Sequence, residues 1–245
     1  MSRALIDEYV KLEPGFITAK TLLRGSMSRL TTGIDAMDRV LELGVGQFAV
    51  FEGEASHSFS SLLCVRAVLP KPTGLDSDVL FVDGGNVFDA YAISAQSIEH
   101  EADPEEILKR IHISRAFTYH QLSTLITEKL PHAIDELKAK LVVVSDVTQL
   151  YCDPDIEDKH EALDVYRKDV RTLAIMAKRK SALIIATNIQ TRNKRMDDVL
   201  LHTAHISVTL EDWNSFMRLT LHRHPFTPQL EVTISPNKQT LEAYL

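Results

Sequence analysis

Short aliphatic runs, each closed by a polar or glycine-bearing turn, recur along the chain. Gln47-Phe48-Ala49-Val50-Phe51 runs into Gly53, and Val79-Leu80-Phe81-Val82 ends at Asp83-Gly84-Gly85-Asn86. Ala139-Lys140-Leu141-Val142-Val143-Val144 ends at Ser145-Asp146, and Ala182-Leu183-Ile184-Ile185-Ala186 ends at Thr187-Asn188. Ile111-His112-Ile113 is a shorter strand candidate. Runs without polar alternation predict strands buried on both faces, the mark of a parallel sheet covered by helices. Between them, Ser60 to Leu69 reads as a helix stopped by Pro70 and Pro72, and Gln121 to Lys138 as another. In Lys159 to Lys180, Leu163, Tyr166, Val170, Leu173, Ala174 and Ala177 recur at helical spacing. The last third changes: His205 to Leu210, Phe216 to Leu221 and Leu230 to Ile234 alternate apolar and polar residues, which predicts antiparallel strands at a sheet edge. The expectation is an α/β core over residues 30–245 with a mostly parallel central sheet, preceded by a polar arm over 1–29 that holds a Pro14-Gly15 turn signal.

Composition sharpens this only slightly. The 245 residues are 44% hydrophobic and 25% charged, ordinary for a globular protein. A net charge of −7 argues against nonspecific nucleic-acid binding as the main task. Cys64 and Cys152 alone build neither a disulfide framework nor a zinc site. No run approaches membrane-spanning length, and the acidic start does not read as a secretory signal, so a cytoplasmic location is expected.

The candidate chemistry lies at Gly53-Glu54-Ala55-Ser56-His57-Ser58-Phe59-Ser60-Ser61. A phosphate-binding loop, G-x-x-x-x-G-K-[ST], needs a second glycine for the backbone cradle and a lysine for the charge. Here Ser58 replaces that glycine and Phe59 that lysine, while Ser60 keeps the hydroxyl and Ser61 follows it. The stretch has the frame of a nucleotide site without its working parts.

Leu30-Thr31-Thr32-Gly33-Ile34-Asp35-Ala36-Met37-Asp38 resembles the S-T-G-x-x-x-L-D segment of RecA/RadA-type recombinases. The likeness continues in order through Gly53 to Ser61, Val79 to Phe88, Ser114 to Phe117, Leu141 to Tyr151, Thr187-Asn188-Ile189-Gln190 and His202-Thr203-Ala204. Gly15-Phe16-Ile17-Thr18-Ala19 looks like the G-F-x-x-A polymerisation motif, whose Phe and Ala enter pockets of a neighbouring subunit while the backbone joins its sheet edge. The resemblance implies a RecA-like core without the upstream helical DNA-binding domain, as in paralogues that assist a recombinase. By the same comparison, Gly85 stands where the catalytic glutamate would be, and Ser145-Asp146 inverts the family's Asp-Ser pair. Gly53, Ser58, Phe59, Ser60, Ser61, Gly85, Ser145 and Asp146 are thus expected to form a degenerate nucleotide site, with no ATP or magnesium cofactor and no metal. Phe16 and Ala19 are the expected interface with a RadA-type recombinase or another paralogue, in a homo- or hetero-oligomer. Arg192, Lys194 and Arg195 fall where a DNA-contacting loop begins in the family and are candidates for weak single-strand phosphate contact.

The implied role is that of a non-catalytic accessory factor in homologous recombination and DNA repair. Two alternatives stay open: a weak ATPase or ATP-sensing switch with a rewired site, and a signalling regulator on the same fold. Other polar clusters have plainer readings. Lys178-Arg179-Lys180 suits a helix C-terminus, and the loop of Asp153, Asp155, Glu157 and Asp158 reads as solvated. His222 and His224 lack the further ligands of a zinc site.

Overall fold

The computed structural model describes residues 28–189, 193–213 and 216–234. In chain order the elements are α1 (Asp35–Leu41), β1 (Phe48–Glu52), α2 (Ser56–Val68), β2 (Val79–Asp83), α3 (Ala90–Glu99), α4 (Pro104–Lys109) and β3 (Ile111–Arg115). There follow α5 (Tyr119–Thr124), a π-helical turn (Leu125–Lys129), α6 (Leu130–Leu137), β4 (Leu141–Ser145), a 3-10 turn (Gln149–Cys152) and α7 (Lys159–Lys180). The chain continues through β5 (Leu183–Asn188), α8 (Lys194–Thr203), β6 (Ile206–Trp213), β7 (Phe216–Arg223) and β8 (Leu230–Ile234).

The strands form one 8-stranded sheet in the order β3-β2-β4-β5-β1-β6-β7-β8. The aliphatic runs are buried on both sides because alternate residues feed different cores. On β5, Leu183 and Ile185 join the cluster under α2 and α3, while Ile184 and Ala186 join the one under α5 to α8. On β1, Ala49 and Phe51 face the first cluster, and Phe48 and Val50 the second. The expected mixed α/β architecture and the antiparallel β7 and β8 are therefore present.

Three local expectations differ. β6 reads by alternation as an antiparallel edge strand, but it pairs parallel with β1 and antiparallel only with β7. The crossover helix α8 lies between β5 and β6, and such a connection returns the chain in the same direction. The helix expected over Gln121 to Lys138 is interrupted by the π turn at Leu125–Lys129. Pro131, which has no N–H to give the preceding turn, sits at the start of α6 and accounts for the break. The third difference bears on function: α2 begins at Ser56 rather than Ser60.

α1 enters the fold through the Leu30 to Asp38 segment. The Asp38 carboxylate accepts from the Thr32 N–H at 2.6 Å and the Gly33 N–H at 3.1 Å, tying the turn to the helix it precedes. β1 is flanked by β5 and β6, so its C-terminal end, where Gly53 turns into α2, lies inside the sheet rather than at an edge.

Candidate functional site: the strand-end cleft and a neighbouring basic groove

Gly53 leaves β1 with φ +95°, and a Cβ there would lie 2.3 Å from the Leu210 carbonyl oxygen on β6. Only glycine makes this turn so close to the neighbouring strand. The Gly53 N–H donates to Asn188 O at 3.2 Å, pinning the turn to the end of β5.

Past Gly53 the chain winds directly into helix. The Ser56 N–H donates to Gly53 O and the Phe59 N–H to Ala55 O, both at 3.0 Å. The Phe59 N–H, at the position where a phosphate cradle presents a free donor, therefore belongs to the helical ladder. The Ser58 hydroxyl donates to Ala55 O at 3.0 Å and the Ser60 hydroxyl to His57 O at 2.8 Å, so both turn onto their own helix. Ser61 is half-buried on the next turn. Phe59 is buried in the core with its ring 5.0 Å from that of Phe51, edge to face. An apolar ring at the lysine position turns towards the sheet, where it removes apolar area from water.

Opposite α2, the ends of β2 and β4 form a second half of the cleft. Asp83 has a fully buried side chain; one carboxylate oxygen accepts from the Val87 N–H and the Ser145 hydroxyl, both at 2.9 Å. The other accepts from Arg115 Nε at 3.2 Å. Ser145 Oγ in turn accepts from the Gly84 N–H at 3.2 Å. The inverted pair thus points Ser145 inward, into the β2–β4 seam. Asp146, the next residue, takes a left-handed conformation with φ 44°.

From there the Asp146 carboxylate reaches across the cleft to α2, and His57 Nε2 lies 2.9 Å from its Oδ1. A Cβ on Gly85 would fall 2.1 Å from Asp146 Oδ2. The room left by the missing side chain at 85 is therefore the room that Asp146 occupies. Gly85, Ser145 and Asp146 lie together at the ends of β2 and β4, and Asp146 reaches α2 four residues past Gly53. His57 is the member that the sequence reading passed over, since it fills a variable position of the loop pattern and carries no motif signal.

At the next strand junction, Thr148 Oγ1 and Asn188 Oδ1 are hydrogen-bonded, and Asn188 Nδ2 faces Glu52 Oε1 at 3.4 Å and Asp197 Oδ1 at 3.3 Å. Burial raises the Glu52 carboxyl above its ordinary value, with the Asn188 hydrogen bond opposing and Asp197 adding to it.

Beyond Asn188 a groove of about 550 Å³ runs between the starts of α7 and α8. Lys194 and Arg195 line it, joined by Lys159, His160, Cys152 and Asn193. Arg192 lies outside the described residues, as do Phe16 and Ala19. Lys159 and His160 were missed as partners of the Lys194 pair because they are distant in sequence. A signal was present nonetheless: cations in the first turn oppose the helix dipole, and both helices begin with a basic pair. His222 and His224 do not act together: His222 Nε2 meets Thr209 Oγ1 at 2.8 Å, and His224 Nε2 meets Leu41 O at 3.0 Å. No group of three or more metal-binding side chains occurs among the described residues. Among them, too, no helix is long and apolar enough to cross a membrane.

The family described as Rad51 matches residues 23–204, a span that covers the cleft, the sheet up to β5 and α8. The chain belongs to the Rad51 family. Within it, the chain is 28% identical over 177 residues to the DNA repair and recombination protein RadA of Cenarchaeum symbiosum, covering 67% of this chain and 43% of that protein. It is 31% identical over 165 residues to the meiotic recombination protein DMC1 homolog A of rice (Oryza sativa subsp. japonica), covering 62% and 47%. With the DMC1 homolog of Glycine max it shares 31% over 173 residues, covering 67% and 49%. The matched region spans less than half the length of these Rad51-family relatives.

Proposed function

We propose that this chain is a non-hydrolysing member of the Rad51 family that acts in homologous recombination and DNA repair by binding a RadA-type recombinase or another such paralogue. The observation that carries the proposal is the cleft. A helical turn replaces the phosphate cradle, Phe59 is packed against Phe51, and the Asp146 carboxylate paired with His57 stands beside Gly85. These residues do not fit Mg-ATP: the lysine position supplies no charge, and the cleft already holds a carboxylate. A charge-assisted hydrogen bond is worth about 1.5–3 kcal/mol, so the missing lysine alone costs a phosphate much of its anchoring.

With no nucleotide to turn over, the chain's contribution lies in its contacts. Phe16 and Ala19 supply a docking motif for a partner's pockets. Among the described residues β3 ends the sheet, with Ile113 46% exposed on it and Phe117 72% exposed just beyond, a second edge for contact. The basic groove at Lys159, His160, Lys194 and Arg195 favours a secondary contact with a phosphate backbone.

The test is co-purification with the RadA-type recombinase of the same cell, comparing wild type with Phe16→Glu. Binding by wild type and loss in the variant is expected. Absence of binding in both returns the chain to self-assembly or to a signalling role.

A further inference from the structure

Helix α7 buries Leu163, Tyr166, Val170, Leu173 and Ala177 in the core. Its opposite side faces away from the sheet, and near the middle of that side Ile175 is 51% exposed. Lys168, Arg171, Lys178 and Arg179 stand seven and four residues before Ile175 and three and four after it. At about 100° per residue these positions share one face with Ile175, within roughly a third of the circumference. All four are exposed, and none forms an ion pair among the described residues. Their neighbours do: Arg167 pairs with Asp164 at 3.0 Å, and Lys180 with Asp135.

Helix stability accounts for only part of this arrangement, through Asp164 four residues before Lys168 and through the last turn. The last turn favours cations, which explains Lys178 and Arg179. Lys168 and Arg171 are mid-helix, three residues apart, where like charges repel. In a chain of net charge −7, positive charge is gathered around one exposed aliphatic side chain.

We propose that this face docks an acidic segment of a partner protein, one apolar side chain of the segment resting on Ile175 and its carboxylates on the surrounding cations. An apolar centre inside a charged rim is the anatomy of a protein contact. A nucleic-acid backbone would engage the cations and leave Ile175 in water, so the isoleucine decides between the two classes of partner. The surface lies on α7, over β1 and β5 and away from the β3 edge, and its variants leave residue 16 unchanged, so its failure and that of the recombinase contact are separable.

The experiment uses the full chain and fluorescence anisotropy with three labelled probes. They are a short peptide of aspartates and glutamates around one leucine, the same peptide with alanine for leucine, and a single-stranded oligothymidine. Binding of the leucine peptide is expected to weaken about fivefold or more with Ile175→Ala or with the alanine peptide. It should weaken further with Arg171→Glu plus Lys178→Glu, and fall with added salt. The proposal is overturned if the leucine peptide does not bind, or if α7 variants leave its binding unchanged. It is equally overturned if oligothymidine binds this face and Ile175→Ala has no effect. All three substitution sites are exposed, so the folded chain tolerates them.

Discussion

Substituting alanine for Gly85 adds a single methyl group, and the cleft has no place for it. The new Cβ would stand 2.1 Å from Asp146 Oδ2, 2.8 Å from its Cγ and 2.9 Å from its Cβ. Asp146 cannot yield without releasing His57, because Oδ1 of the same carboxylate meets Nε2 at 2.9 Å. Losing one charge-assisted hydrogen bond costs about 1.5–3 kcal/mol, so Gly85→Ala is expected to destabilise the fold by about 2 kcal/mol. For a chain of this size that lowers Tm by about 4–8 °C. The decisive comparison is the same substitution in an Asp146→Gly background, which removes all three opposing atoms and suits the left-handed φ of 44° at that position. There Gly85→Ala should cost under about 1 kcal/mol, and the difference between backgrounds is the coupling of the two positions. Urea unfolding followed by circular dichroism of the four proteins measures it. Equal costs in both backgrounds would refute the idea that Gly85 is open in order to seat Asp146.

Gly53→Ala combines φ +95° with a Cβ 2.3 Å from Leu210 O, and should shift the urea midpoint by about 2 kcal/mol or more of stability. Iodoacetamide should label Cys152, which is exposed, well before Cys64, whose thiol burial pushes far above its ordinary value; labelling of both at equal rate in the native state would contradict this packing. Asp169 is buried, and burial raises its carboxyl above the ordinary 3.8 against the opposing hydrogen bonds from Tyr151 and Ser123. The native state therefore holds this proton to higher pH than the unfolded chain. Its contribution to stability is fully present below the unfolded value and is lost as pH rises through the native one. Asp169→Asn should flatten that part of the stability–pH profile, and an unchanged profile would count against it.

The sheet was legible because its strands are buried on both faces: Leu141 to Val144 and Leu183 to Ala186 read as parallel strands from aliphatic content alone. The 22 residues of α7 were legible to both ends from the regular apolar stripe, although the Asp158 cap and the left-handed Ser181 that end it are seen only in the structure. β6 was misread because alternation reports which side chains are polar, and Ser207 is polar yet buried, while strand direction is set by the crossover helix before it. The cleft was half legible. The missing lysine and glutamate are visible as Phe59 and Gly85, but their replacement by a packed ring and a neighbour's carboxylate is a matter of three-dimensional contact. His57 had no signal of its own, because its partner lies 89 residues away. The start of α2 at Ser56 was hidden by the frame of the loop pattern, which sets a helix beginning near Ser60.

The central claim is that the cleft, with Phe59 packed on Phe51 and Asp146 paired to His57, takes no nucleotide. Equilibrium binding and turnover of labelled Mg-ATP by the purified full chain test it most directly. No saturable binding and no phosphate release are expected, in wild type and in Ser60→Ala alike. Saturable Mg-ATP binding with turnover that Ser60→Ala abolishes would contradict the account and make the chain a rewired ATPase.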